Sequence, residues 1–169
     1  MHKVDLTNKT ILITGAAGFI GANLVSELLR TVYPTKLVGL DSCNDYYDIS
    51  LKEYRLVEIE KLSAEHPDSK WIFIKGNIAD KVFIERIFSE YKPDIVVNLA
   101  AQAGVRYSIT NPDVYIESNL IGFYNIWKLA EIIRLSILSM HLLPLCMAQI
   151  KRFRTVRRIR WTPLFHFMR

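Results

Sequence analysis

The stretch Thr14-Gly15-Ala16-Ala17-Gly18-Phe19-Ile20-Gly21 decides the fold of the N-terminal part of the chain. It follows the apolar run of residues 10–13, which is suited to a buried parallel strand. Apolar side chains then recur at helical spacing over residues 19–29, so the glycines lie on a strand-to-helix turn. At such a turn a dinucleotide pyrophosphate can approach the backbone and the amino end of the helix.

Each of the three glycines has a predicted role. Gly15 allows the tight turn, Gly18 allows the close approach of a phosphate, and Gly21 allows the helix to pack closely on the strand. The spacing is G-x-x-G-x-x-G rather than the common G-x-G-x-x-G, and glycines also end strands for purely structural reasons. The glycines by themselves are therefore a weak signal.

An acidic residue at the end of the next predicted strand strengthens the prediction. Residues 36–41 indicate a second buried strand that ends in Asp41, twenty positions after Gly21. A carboxylate at that place meets the adenosine ribose hydroxyls in an NAD site. The alternative is that Asp41 caps a helix or a turn. The strand, glycine turn, helix, strand and acid together predict an NAD-binding half-domain.

The alternation of strands and helices continues along the chain. The further predicted elements are a helix over residues 49–61, a strand over 71–76, a helix over 81–91 with Asp80 as N-cap, a buried strand over 95–101 and a helix over 114–134. This alternation with short loops predicts right-handed crossovers and a parallel sheet ordered 3-2-1-4. The carboxyl ends of strands one and four then flank a cofactor crevice.

The charge distribution places a boundary near residue 134. The formal net charge is +5, but residues 1–134 hold 15 Lys/Arg and 17 Asp/Glu, whereas residues 135–169 hold 7 Lys/Arg and no acid. All of the basic character therefore belongs to the C-terminal part. We interpret residues 1–134 as the NAD-binding Rossmann half-domain and residues 135–169 as a separate basic tail.

Composition excludes several classes of protein. Half of the residues are hydrophobic, which excludes disorder throughout. Cys43 and Cys146 are too few for a disulfide framework or a cysteine metal site, and they fit a reducing cytoplasm. The polar residues 1–6 do not resemble a signal peptide, and no apolar run is long enough for a transmembrane helix. We expect a cytoplasmic protein that holds no metal.

Longer motifs give the chain a more specific resemblance. They are Asp41 with NDYYD at residues 44–48, NLAAQAGVRYS at residues 98–108 and NLIGFYNI at residues 119–126. With these motifs the chain resembles the extended short-chain dehydrogenase/reductases of the NAD-dependent epimerase/dehydratase family. Within that family it is most similar to the bacterial UDP-glucuronate 4-epimerases. The resemblance runs from about residue 7 to about residue 130.

The resemblance implies an α/β fold, a doubly wound Rossmann sheet, with NAD as cofactor and a UDP-sugar as substrate. Asn77 departs from the aspartate that the family usually has near the adenine, although an amide can still hydrogen-bond adenine. Arg106 is expected to approach the sugar nucleotide, with a solvated loop arginine as the alternative. Asn119 is expected to bond loop backbone near the fourth strand. The implied cofactor-binding residues are Gly15, Gly18, Phe19, Ile20, Gly21, Asp41, Asn44, Asn77, Ile78, Leu99, Ala100, Ala101 and Gln102.

The implied reaction is the reversible inversion at C4 that interconverts UDP-glucuronate and UDP-galacturonate, a chemistry linked to capsular polysaccharide. The family transfers the proton with a Ser/Thr and a Tyr-x-x-x-Lys pair, whose lysine lowers the tyrosine pKa. Here Tyr124 and Lys128 match that string, but they lie on one helix well before the family's position and are interpreted as a surface pair. No catalytic residue is assigned, and we expect the chain to be inactive.

The tail has no resemblance to the family as written. In another reading frame, permitted codons for residues 136–149 encode HLVYASSSSVYGA and those for residues 162–169 encode TPLSLYA. These are the settings of the family's catalytic serine and tyrosine. We interpret the tail as frameshifted between about Lys128 and Leu135, which leaves a truncated Rossmann sheet of about four strands. An exposed edge on strand four then favours aggregation and argues against the homodimer of the intact family.

Two other functions stay open. The chain can be a non-catalytic NAD-binding module whose basic arm, residues 151–160, binds nucleic acid or anionic surfaces without specificity. Such an arm is usually only solvated charge, so no specific nucleic-acid or membrane partner is expected. The chain can also belong to an NAD-dependent nucleotide-sugar dehydratase, because residues beyond the resemblance select the substrate in the intact family.

Overall fold

The computed structural model describes residues 5–133 and 137–140. The strands are β1 Thr10–Thr14, β2 Lys36–Asp41, β3 Lys70–Lys75, β4 Ile95–Asn98 and β5 Ile137–Met140. The helices are α1 Phe19–Thr31, α2 Ile49–Glu65, α3 Lys81–Tyr91, α4 Val105–Thr110, α5 Asp113–Tyr115, a π-helical segment Ile116–Gly122 and α6 Phe123–Ile132. The order of elements is therefore the strand–helix alternation that the sequence predicts.

The strands form one parallel sheet with the order β3-β2-β1-β4-β5. β1 lies between its two neighbours with Ile11 opposite Leu37 on β2 and Ile95 on β4. Because every crossover between neighbouring strands carries a helix, all carboxyl ends lie along the same edge of the sheet. The predicted order 3-2-1-4 is confirmed.

The fifth strand corrects one expectation. β5 comes from the predicted tail and pairs in parallel with β4, from Ile95 opposite Ile137 to Asn98 opposite Met140. The Rossmann sheet with the predicted order of its four strands is confirmed, whereas the expectation that strand four has an exposed edge is wrong. The physical reason is that a short apolar segment can satisfy the free backbone groups of an edge strand, whatever the charge of the residues that follow it.

Apolar helix faces cover both sides of the sheet. On one side α1 and α2 pack on β1 and β2 through Val25, Leu29 and Ile59. On the other side α3 and α6 pack on the sheet through Ile84 and Ile126. This doubly wound arrangement leaves the carboxyl edge of the strands free for a site.

Helix ends agree with the sequence in some places and differ in others. Asp80 caps α3 as predicted, since its carboxylate accepts a hydrogen bond of 3.0 Å from the amide of Phe83. The α2 helix ends at Glu65 rather than at residue 61, and the single helix predicted over residues 114–134 is interrupted by the π-helical segment.

Several predictions fall outside the described part of the chain. The reading-frame hypothesis concerns residues 136–149 and 162–169, of which only residues 137–140 are described, and the basic arm of residues 151–160 lies outside the described residues. Among the residues that are described, no helix is both long and apolar enough to cross a membrane.

Candidate functional site

A cleft of about 560 Å³ opens at the carboxyl edge of the sheet, next to the exits of β1, β2, β3 and β4. Its volume lies within the range of about 300–1,000 Å³ that is usual for small-molecule sites. Most of the predicted cofactor-binding residues line it: Gly15, Gly18, Phe19, Asp41, Asn44, Asn77, Ile78, Leu99, Ala100, Ala101 and Gln102. The structure thus brings together residues from four separate strand exits.

The remaining three predicted residues do not line the cleft. The side chain of Ile20 is 48% exposed at the start of α1. Gly21 is buried beneath the turn, and Arg106 is exposed on α4. The neighbour of Arg106, Tyr107, does line the cleft. The binding roles of these three residues therefore stay predictions.

The glycine turn is tight because two of its glycines leave no room for a side chain. Gly15 has a φ of +70°, and a Cβ on it would lie 2.8 Å from the backbone nitrogen of Ala100. A Cβ on Gly21 would lie 2.1 Å from the carbonyl oxygen of Gly15. The first turn of α1 is therefore pressed against the loop that leaves β1. Gly18 is the N-cap and brings no capping side chain, so the first amides of the helix are left for another acceptor.

Asp41 joins the end of β2 to the glycine turn. Its carboxylate accepts a hydrogen bond of 3.1 Å from the amide of Ala17 and one of 2.8 Å from the amide of Cys43. A carboxylate has about four acceptor positions, so these two bonds leave capacity for a ligand hydroxyl. The bond to the amide of Cys43 fits the alternative prediction that Asp41 caps a turn, whereas its bond to Ala17 was not predicted. The predicted role at the ribose stays a prediction.

Lys52 is a cleft residue that sequence reasoning missed. Its ammonium donates to the backbone oxygen of Asn44 at 3.0 Å and to the Asn44 side-chain oxygen at 2.9 Å. It also lies 3.8 Å from a carboxylate oxygen of Asp41. Lys52 shares the buried face of α2 with Ile59, about two helical turns further on, but its charged neighbours in the sequence predict a solvated helix face.

Thr14 is a second missed residue, at the exit of β1. Its buried hydroxyl donates to the side-chain oxygen of Asn98 at 2.5 Å. The same oxygen accepts from the amides of Leu99 at 3.2 Å and Ala100 at 3.1 Å. One hydroxyl therefore fixes the loop that leaves β4, where the nicotinamide end of the cleft is predicted.

A chain of amide side chains spans the cleft from the β2 exit to the π-helical segment. Asn44 donates to the side-chain oxygen of Gln102 at 3.1 Å. Asn119 accepts from the backbone amide of Gln102 at 2.7 Å and donates to its carbonyl oxygen at 3.0 Å. The predicted role of Asn119 as a partner of loop backbone is confirmed.

Tyrosines form one wall of the cleft and pack on each other. The ring centroid of Tyr46 lies 4.6 Å from that of Tyr47 and 4.9 Å from that of Tyr107. The hydroxyl of Tyr115 donates to the carbonyl oxygens of Ala103 and Gly104. Desolvation raises the pKa of Tyr46 and is the main cause that raises the pKa of Tyr115.

A raised pKa makes Tyr46 and Tyr115 less suited to act as a base. The Tyr-x-x-x-Lys string found in the sequence lies elsewhere. The Lys128 ammonium is 5.9 Å from the ring centroid of Tyr124 on α6, and both side chains are exposed outside the cleft. The interpretation of Tyr124 and Lys128 as a surface pair is confirmed.

Comparison with known proteins gives consistent results. A sequence profile described as GDP-mannose 4,6 dehydratase matches residues 12–142. The chain is 47% identical over 116 residues to the protein CapI of Staphylococcus aureus, a match that covers 69% of this chain and 32% of CapI. It is 38% identical over 122 residues to UDP-glucuronate 4-epimerase 4 of Arabidopsis thaliana, covering 72% of this chain and 26% of that protein.

A solved structure shows the same similarity. The UDP-glucose 4-epimerase of Thermus thermophilus, in complex with NAD, is 28% identical with a TM-score of 0.59, and the match covers 77% of this chain and 36% of that one. The chain thus spans about a third or less of the length of the curated relatives that it matches.

Proposed function

The chain belongs to the family described as GDP-mannose 4,6 dehydratase, and on that premise we propose that it binds NAD in the cleft at the carboxyl edge of the sheet. The observation that carries the proposal is the glycine turn between β1 and α1, held to the carboxylate of Asp41 through the amide of Ala17. This turn presents helix amides and a ribose acceptor in one site. A related epimerase from Thermus thermophilus binds NAD.

The residues of the cleft fit the parts of the dinucleotide in order. The pyrophosphate is received by the turn Gly15–Gly18 and by the first amides of α1, which lack intrahelical partners. The adenosine ribose is received by Asp41 and Asn44, and the nicotinamide end by the loop of residues 99–102. When bound, NAD supplies a group that accepts and returns a hydride.

We further propose that, within the family, the chain derives from the UDP-glucuronate 4-epimerases. The support is the similarity to proteins of that name in Arabidopsis thaliana, together with the sequence motif at residues 98–108. A nucleotide-sugar dehydratase is the second candidate, because the matching sequence profile carries a dehydratase description. The two reactions give different products, since only dehydration removes water and leaves a keto-deoxy sugar.

For this chain itself we propose NAD binding without epimerisation. The Tyr124 and Lys128 pair lies outside the cleft, and the pKa of the cleft residue Tyr46 is raised, which is the opposite of what a base needs. Binding is tested by isothermal titration of the full chain with NAD⁺. Saturable binding that Asp41→Asn weakens supports the proposal, and the absence of binding to a folded chain contradicts it.

Activity is tested on the same preparation. Incubation with NAD⁺ and UDP-glucuronate, followed by chromatography of the nucleotide sugars, is expected to return UDP-glucuronate unchanged. The appearance of UDP-galacturonate would contradict the proposed inactivity. In a parallel incubation with a nucleotide hexose, a keto-deoxy product would favour the dehydratase candidate. The cytoplasm stays the proposed location, because the sequence holds only two cysteines.

A further inference from the structure

Asn77 and Glu117 meet at the end of the cleft that lies past the exit of β2. Both residues line the cleft, although they are 40 positions apart in the chain. Asn77 belongs to the loop after β3, whose Gly76 amide bonds to the backbone oxygen of Asp41 at 2.9 Å. Glu117 belongs to the π-helical segment.

The helices after β4 are fixed to this loop by buried contacts. The side-chain amide of Asn125 on α6 donates to the carbonyl oxygens of Ile78 at 3.1 Å and Ala79 at 3.0 Å. A Cβ on Gly122 would lie 2.5 Å from the side chain of Ile78. The position of Glu117 relative to Asn77 is therefore set by the fold and does not depend on a single surface contact.

The amide of Asn77 is already committed to protein partners. Its oxygen accepts from the amide of Ala79 at 2.9 Å, and its nitrogen donates to a carboxylate oxygen of Glu117 at 2.8 Å. These two bonds leave Asn77 with one N–H donor and one acceptor position for a ligand. Glu117 offers acceptors only, and within residues 5–133 and 137–140 no lysine or arginine forms an ion pair with it.

The strand order defines which part of a dinucleotide reaches this end of the cleft. The pyrophosphate lies at the turn after β1 and the ribose at the acid that ends β2. β3 is the next strand beyond β2, so the base attached to that ribose lies beside the loop of residues 76–78. The inference therefore rests on the proposed binding of NAD, whose base there is adenine.

We propose that Glu117 is the residue that recognises the exocyclic amine of the adenine, with Asn77 as the residue that positions its carboxylate. The 6-amino group of adenine is a hydrogen-bond donor, and a carboxylate oxygen accepts from it. The amide of Asn77 holds one oxygen of Glu117 and leaves the other oxygen for the base. Glu117 thereby supplies a carboxylate at the place where the family usually has the aspartate that Asn77 replaces.

The experiment compares two dinucleotides that differ in the base at this end. Nicotinamide hypoxanthine dinucleotide carries a carbonyl oxygen where NAD carries the amine, and its neighbouring N1 carries a proton, so its 6-position would place an acceptor against the carboxylate of Glu117. The full chain is titrated with each dinucleotide by calorimetry. We expect NAD to bind about tenfold more tightly, since only its base donates from the 6-position to the carboxylate of Glu117.

The variant Glu117→Gln is expected to lose this preference, because its amide can donate to the carbonyl of hypoxanthine. The matched control is Glu131→Gln, since Glu131 is exposed near the end of α6 and does not line the cleft. The control is expected to keep the ratio of the unmodified chain.

A double variant exchanges the two functional groups. Asn77→Asp combined with Glu117→Gln again places one carboxylate and one amide side by side, and it is expected to restore the preference for NAD. Equal binding of the two dinucleotides by the unmodified chain, or a preference that survives Glu117→Gln, would overturn the role of Glu117 alone. Binding of neither dinucleotide would overturn the proposed function, and this inference with it.

Discussion

The ammonium of Lys52 lies 3.8 Å from the carboxylate of Asp41, and each of the two residues is only 8% exposed. Lys52 also donates two hydrogen bonds to Asn44. One lysine from α2 thus connects the end of β2 to the loop that follows it, beside the predicted ribose site.

We expect Lys52→Met to lower the free energy of unfolding by about 3 kcal/mol, because removing one partner of a buried ion pair leaves the other charge uncompensated. Urea denaturation followed by circular dichroism gives the measurement. The matched control is Lys61→Met on the same helix, whose ion pair with Glu58 is exposed and is expected to contribute less than about 1 kcal/mol.

The explanation is tested further by combining Lys52→Met with Asp41→Asn. The double variant is expected to be more stable than Lys52→Met alone, since it no longer buries an unpaired carboxylate. If Lys52→Met lowers the free energy of unfolding no more than Lys61→Met does, the buried ion pair contributes no more to stability than the exposed one.

Substitutions at two glycines of the turn are expected to affect the stability of the fold and the binding of NAD differently. Gly21→Ala is expected to destabilise the fold strongly, because its Cβ would lie 2.1 Å from the carbonyl oxygen of Gly15. A Cβ on Gly18 meets that same oxygen at 3.1 Å and φ there is −67°, so Gly18→Ala is expected to fold with a loss below about 1 kcal/mol.

Thermal unfolding and NAD titration of the two variants give the comparison. The Gly18→Ala chain is expected to fold but to bind NAD more weakly, because the added methyl group lies where the phosphate approaches the backbone. Unchanged NAD affinity in a folded Gly18→Ala chain would place the pyrophosphate elsewhere.

The hydroxyl of Thr14 is expected to stabilise the sheet. Thr14→Val keeps the shape but leaves the buried side-chain oxygen of Asn98 and the amide of Ala100 without this partner, whereas the amide of Leu99 keeps its bond of 3.2 Å to the Thr14 carbonyl oxygen. We expect a loss of about 2–3 kcal/mol in the free energy of unfolding. The control Thr31→Val removes an exposed hydroxyl that bonds within α1, and it is expected to change stability by less than about 1 kcal/mol. Equal effects in the two variants would contradict this assignment.

The thiol of Cys43 gives a prediction that depends on pH. Burial, and secondly the charge of Asp41, raise the pKa of this thiol. Less thiolate is therefore present at a given pH, so alkylation by iodoacetamide is expected to be slower than that of a free cysteine and to accelerate only at higher pH.

The measurement uses a chain with Cys146→Ser, so that Cys43 is the only thiol. Adding Asp41→Asn is expected to shift the pH dependence of alkylation to lower pH. The pKa of the thiol is expected to stay above that of a free cysteine, since burial is the larger cause of the raised pKa. A profile equal to that of free cysteine in the Cys146→Ser chain would contradict the burial of this thiol.

Local sequence patterns predicted much of the site. Gly15 and Gly21 are recognisable because a turn between a strand and an amphipathic helix needs a positive φ and a close backbone approach. Asp41 is recognisable because it ends a buried strand at the expected separation from the turn. Lys52 was not predicted, because a lysine among charged neighbours on a helix normally indicates a solvated face.

The sequence alone determined the element order, the parallel sheet order β3-β2-β1-β4 and the location of the cleft. It did so because apolar runs, helical periodicity and short connections allow few topologies. Only the tertiary structure decided the addition of β5, the burial of Lys52 beside Asp41 and the meeting of Asn77 with Glu117. These contacts join residues distant in the chain, and their free energy depends on the surroundings that the complete fold creates, which no local pattern encodes.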